Sequence, residues 1–214
     1  MSERELAWAA LHPTGFLHAL REAHVRSTTT VLGALSRAAG FKERSFGYTA
    51  FDVLESTLDQ IFAVGAWAPA GERPPLPGDP LSGVRRDDLN GSPGWRLAGW
   101  RVILKRHRLG AVRQIRWAAE SLTKQAVAGQ GYADDPQVAL ELGIEVHPAS
   151  SDEAVTLVLA HSASDEPDES ELFLGRPRLN QRGENPWWWL VPLTGEALGP
   201  DPRRARSDGT QPLW

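Results

Sequence analysis

Apolar residues recur at helical spacing through the first third of the chain. Phe16, Leu17, Leu20, Val31, Leu32 and Leu35 fall mostly on one stripe that ends at Gly40, and Thr14 is placed to cap its start. Phe51, Leu54, Leu58, Ile61 and Phe62 repeat the pattern before Gly65, so a second helix is expected over 50–64. Between 69 and 94 the pattern breaks. Prolines at 69, 74, 75, 77, 80 and 93 forbid a helix or a central strand through this stretch, which reads as a linker or binding loop. Helical spacing is expected again over 95–128. Ser92-Pro93 can start it, and Ala111, Ile115, Ala118, Leu122 and Ala126 form its stripe.

From residue 137 the period changes to two. Val138, Leu140, Leu142, Ile144 and Val146 alternate with Glu141, Gly143, Glu145 and His147, which predicts a strand with one wet face. "PASSDE" turns the chain and "AVTLVLAH" returns it as a second strand; "ELFLG" and "PWWWLVPL" supply two more. The fold class expected is α+β: a helical N-terminal half followed by a small antiparallel, meander-like sheet of about four strands. The expected division is a helical region over 1–68, a Pro/Gly-rich linker or loop over 69–94, a basic helical segment over 95–129, an antiparallel β region over 130–193 and a loosely ordered tail over 194–214.

Composition narrows the class. Apolar residues at 41% and charged residues at 23% are ordinary for a globular chain, which is therefore expected to fold. No apolar run approaches the roughly 18 residues of a membrane span, and the N-terminus is charged from Glu3. With no cysteine, disulfides, thiolate metal sites and thiol nucleophiles are excluded, and a cytoplasmic location is expected. No membrane partner follows from any of this.

Charge is distributed unevenly. Residues 96–124 carry eight Lys or Arg (Arg96, Arg101, Lys105, Arg106, Arg108, Arg113, Arg116 and Lys124) against Glu120, a balance of +7. Residues 129–175 carry eleven acids and no Lys or Arg, a balance of −11. Either the two segments neutralise each other across the fold, with Glu141 and Glu145 facing the basic helix, or the basic face is left for a polyanion. Winding 109–128 as a helix puts Trp117 opposite the apolar stripe, beside Arg113 and Lys124. There it can stack on a base or dock into a partner. The expected nucleic-acid-binding set is Arg101, Lys105, Arg106, Arg108, Arg113, Arg116, Trp117 and Lys124.

The triplet Trp187-Trp188-Trp189 belongs to a strand bracketed by Pro186 and Pro192. In a regular strand Trp187 and Trp189 share a face and Trp188 takes the other. Apolar residues on both faces, together with flanking prolines, suggest an edge strand that is part core and part protein interface; a sugar-stacking platform is the alternative.

Cofactor chemistry finds no support. GxGxxG, GxxxxGK[ST] and HExxH patterns are lacking, and His161 falls on the strand face away from Glu145, so neither a cofactor nor a metal site is assigned. "RVILKRH", Arg101 to His107, resembles the R-x(4–6)-H pattern of HEPN ribonucleases. That resemblance implies an all-helical fold in which Arg101 and His107 act at an RNA phosphate. The expected function is a non-enzymatic subunit of an assembly, binding nucleic-acid backbone or an acidic partner through 96–124 and docking to protein through the Trp-rich sheet. A metal-independent ribonuclease and a carbohydrate- or ligand-binding module are the alternatives.

Overall fold

The computed structural model describes residues 1–36, 38–65, 79–118, 121–132, 154–164, 169–180 and 184–207. Three helices come first: α1 (Glu3–Leu11), α2 (Phe16–Ala34) and α3 (Glu43–Phe62). A capping box opens α1: Ser2 Oγ accepts from the Glu5 amide, and the Glu5 carboxylate accepts from the Ser2 amide at 2.7 Å. Phe16, Leu17, Leu20, Ala23 and Val31 form the buried stripe of α2, and Leu54, Leu58 and Phe62 that of α3. Both helices expected from spacing are therefore present. The second begins seven residues earlier than the period suggested, because Phe46 and Ala50 pack on Val31 of α2 as well.

Among the described residues the sheet has six strands in sequence order: β1 (Arg85–Arg86), β2 (Gly94–Leu97), β3 (Trp100–Arg106), β4 (Val155–Ala163), β5 (Ser170–Pro177) and β6 (Trp187–Pro192). Neighbours pair antiparallel except β3 and β4, which are parallel. The chain is thus α+β, with helices in the N-terminal half and a mostly antiparallel sheet after them. Short helices α4 (Leu122–Ala128), α5 (Gly195–Leu198) and α6 (Pro202–Ser207) complete the described elements. The segment 194–207, expected as a loose tail, carries these last two. Among the described residues no helix is long and apolar enough to cross a membrane.

Of the helix expected over 95–128 only Leu122–Ala128 (α4) is α-helical; Gly94–Arg106 is a β-hairpin, and 107–118 is irregular apart from a 3-10 turn at Val112–Gln114. Leu97 pairs with Trp100 across Ala98 and Gly99, both at positive φ (49° and 83°), the conformation of a tight two-residue hairpin turn. The run Val102-Ile103-Leu104 then lies in the middle of the sheet with both faces covered, where β-branched residues pack best. Within the expected loop, Leu81 and Val84 are buried and Arg85–Arg86 is a strand. The strand expected over 138–146 lies outside the described residues.

Two cores sandwich the sheet. On one face Leu17, Leu20, Leu54 and Leu58 meet Trp95, Val102, Leu104, Leu157, Leu159, Leu174 and Trp189. On the other, Ile103, Val158, Ala160 and Trp187 meet Val112, Ile115, Trp117 and Val127. Residues 107–118 and 121–128 therefore form a third layer, covering the sheet face that the helices leave bare.

The tryptophan triplet straddles both cores. Trp189 pairs with Arg176 but Trp187 pairs with Pro177, so Trp188 is an extra residue in a bulge. The bulge reverses the expected alternation and sends Trp187 and Trp189 to opposite faces. Gly175 makes room for this arrangement: a Cβ there would lie 2.7 Å from the Trp187 ring. On the helix side, buried Arg176 lies 3.2 Å from Glu3 and donates to Thr156 O at 3.0 Å and Gly131 O at 2.7 Å. Those contacts fasten the start of α1 to the sheet.

Candidate anion-binding surface

The parity of the strands decides where the basic residues go. On β3, Trp100, Val102 and Leu104 face the helices, whereas Arg101, Ile103 and Lys105 face the third layer. Arg96, paired with Arg101, shares that side. Arg108, Arg113 and Arg116 are exposed on the covering segment, and Lys124 projects from α4, its Nζ donating to the Arg116 carbonyl at 2.7 Å. Six of the seven basic residues expected in the nucleic-acid set therefore belong to one side of the molecule. The exception is Arg106, which turns toward the helices and lies 4.9 Å from the Tyr48 ring.

Arg101 is occupied. Its Nε and Nη2 donate to the two Asp87 oxygens at 2.8 and 3.0 Å, a bidentate pair. Lys105 has the opposite character. It is half-buried, and burial, the Lys124 charge and the Arg106 charge together push its ammonium below the usual lysine range. No acid pairs with Lys105, Arg108, Arg113, Arg116 or Lys124 among the described residues. Nine of the eleven acids in 129–175 lie outside those residues, all but Glu169 and Glu171.

Trp117 does not belong to this surface. It is 1% exposed and meets the edge of Trp187 with ring centroids 5.3 Å apart. Buried Asn180 fixes the chain around it, accepting from the Trp117 amide at 2.8 Å and donating to Ile115 O at 3.0 Å. The helix that would have exposed Trp117 does not form, because Ala111 to Ala118 must lie flat to cover Trp187, whose Nε1 donates to Val112 O at 2.9 Å. Trp117→Ala is accordingly expected to lose about 3–5 kcal/mol of stability in urea unfolding. A loss under about 1 kcal/mol would mean that this layer is not packed as described.

Arg101 lies near the start of β3 and His107 just past its end, six residues or roughly 20 Å apart. His107 is buried, its Nδ1 donating to Arg108 O at 2.8 Å. The structure does not bring the pair together, and it puts Arg101 on a strand and His107 directly after it rather than on the paired helices of the HEPN pattern. Trp187 and Trp189 are 2% and 9% exposed, and the Trp188 ring is covered by Tyr132 stacked at 4.6 Å and by the Arg178 guanidinium at 4.4 Å. None of the three presents a bare ring for a sugar.

Sequence reasoning missed a group of buried histidines at the C-terminal end of the parallel pair. His161 and His24 lie 6.3 Å apart edge to face on the helix side, and His107 lies on the other side, 3.7 Å from Glu171. The parallel β3–β4 register, which carries residues 100–106 alongside 155–161, is what assembles them. Among the described residues no group of three His, Cys, Asp or Glu could hold a metal ion. The chain matches no family model, and no curated protein or solved structure is significantly similar to it.

Proposed function

We propose that this protein is a non-enzymatic binding subunit that holds nucleic-acid backbone on its third-layer face. The observation that carries the reading is Lys105, half-buried beside Lys124 and Arg106 with no acid pairing it among the described residues. Holding like charges together at the expense of their ionised form is costly unless an anion relieves it. Exposed Arg108, Arg113 and Arg116 around this pair extend the positive field along the covering segment, the layout a phosphate backbone needs. With Trp117 buried, the reading no longer includes base stacking and rests on sequence-independent phosphate contact. Protein docking is assigned to β6, the last strand in the sheet order among the described residues, through its outer edge rather than through tryptophan rings.

Binding to single- and double-stranded oligonucleotides is expected to weaken steeply with salt. The double variant Arg113→Glu/Arg116→Glu should lower the log–log slope by roughly two and leave the melting temperature within a few degrees, since exposed charges contribute only about 0–1 kcal/mol each. A parent protein with no oligonucleotide affinity at low salt would overturn the nucleic-acid reading and leave the acidic-protein one. A double variant that melts much earlier would show that these arginines are paired within the chain.

A further inference from the structure

A second concentration of arginine lies on the helix side of the sheet, away from Lys105. The outer face of α2 and the segment around α5 and α6 enclose an open cleft of about 1020 Å³. Four arginines line it, Arg21, Arg26, Arg203 and Arg204, against two acids, Glu22 and Asp201, so the lining carries a surplus of two positive charges. The two acids are already engaged. Arg203 donates to Asp201 at 2.7 Å and to Glu22 at 2.9 Å, and Arg26 also pairs with Glu22.

The cleft is built rather than incidental. Arg203 threads its aliphatic stem over Gly15, where a Cβ would lie 2.4 Å from Arg203 Cγ, so the residue before α2 is kept small and at positive φ. Its guanidinium is then fixed by Asp201 and Glu22 through Nε and Nη2, while Nη1 makes no bond among the described residues. Arg21, one turn from Glu22's partner Arg26, pairs with no acid among the described residues, and its guanidinium rests near Gly195. His18, 9% exposed, lines the same cleft, and its buried Nε2 has no hydrogen-bond partner. An orphaned buried ring nitrogen, one fixed arginine with a spare edge and one arginine without an acid converge on the same space. Orphaned buried polar groups are rare unless something satisfies them.

We propose that this cleft is a binding site for a small ligand carrying a dianionic phosphate group, with Arg21 and the Nη1 edge of Arg203 gripping the phosphate oxygens and His18 Nε2 completing the set. Planar guanidinium groups match phosphate geometry better than any other side chain. The volume is at the upper end for a small-molecule site, so it takes a phosphorylated organic molecule and not a bare ion alone. Val25 and Pro200 supply the apolar wall for its remainder.

Isothermal titration of the full chain with inorganic phosphate and with pyrophosphate, at fixed ionic strength, tests this. Saturable binding at one site per chain is expected, at least about tenfold weaker in Arg21→Gln and in His18→Leu. Arg203→Ala risks the packing over Gly15, so exposed Arg21 carries the test. Lys42→Glu, exposed before α3 and outside both the cleft and the third-layer face, should bind both probes like the parent. No saturation by either probe up to about 10 mM overturns the proposal, and so does an Arg21→Gln variant that binds as tightly as the parent. Equal weakening in Lys42→Glu also overturns it, because the binding would then follow net charge and not this cleft.

Discussion

Asp59→Ala is expected to cost about 3–5 kcal/mol of folding stability. Asp59 sits near the end of α3 and is 8% exposed. Its Oδ1 accepts from Trp95 Nε1 at 2.8 Å and from Arg86 Nη1 at 2.6 Å, and Oδ2 accepts from the same Nη1 at 2.7 Å. Arg86 also reaches Glu55 and Asp88, both at 2.5 Å, and its guanidinium lies 4.9 Å from the Trp95 ring. Two carboxylates of α3 thus hold β1 through Arg86, and Asp59 is the one that also holds Trp95 of β2. Removing it leaves a partly buried guanidinium short of a partner and a fully buried indole N–H with none, and each loss costs more than the bond itself. Asp59→Asn keeps an acceptor for Trp95 but loses the charge, so about 1–3 kcal/mol is expected there. Urea unfolding of both variants against the parent checks the order. A loss below about 1 kcal/mol in Asp59→Ala would show that the network is solvated and contributes as little as a surface pair.

The same network marks where sequence reasoning reached and where it stopped. Helices α2 and α3 were legible because their apolar stripes are long and local, and β4, β5 and β6 because short apolar runs sit between turn residues. The 79–106 region was not legible, for two physical reasons. Its prolines concealed hairpin turns at Asn90-Gly91 and Ala98-Gly99, where φ is positive at all four residues; Asn-Gly is the strongest short-range hairpin signal in a sequence. Its Ser92-Pro93 start also suggested a helix, yet "WRVILKR" carries the short continuous apolar run of a strand covered on both faces, with two β-branched residues in it. The error propagated to Trp117, whose exposure depended on a helix that the cover over Trp187 forbids. Charge segregation was legible as a fact of sequence, and strand parity explains why most of the basic residues share one side.

Acidification is expected to unfold the protein through its histidines before its carboxylates. His24 is buried between α2 and β4, its Nε2 3.3 Å from Ser162 O, and burial is the main cause that brings its pKa down from 6.5 to about 4, with Arg21 and His107 adding to it. His161 is driven well below 6.5, first by burial and then by His24, His107, Arg106 and Lys105. His107 moves the same way, again chiefly by burial, with Glu171 opposing. In each case the folded state binds its proton more weakly than the unfolded chain does. Above pH 6.5 both states are neutral at these rings and nothing is lost. As pH falls from 6.5 toward 4 the unfolded chain takes up protons that the folded chain refuses, so stability falls with pH, by about 3 kcal/mol from His24 alone. His161→Phe suits the site, since the Phe51 ring is 5.8 Å away, and it removes one refused proton. Urea unfolding measured across this pH range should give a steep slope for the parent and a shallower one for His161→Phe, the two curves converging above pH 6.5 apart from a constant packing difference. Equal slopes would show that these rings are hydrated in the fold, and a flat parent curve would show that they are not buried at all.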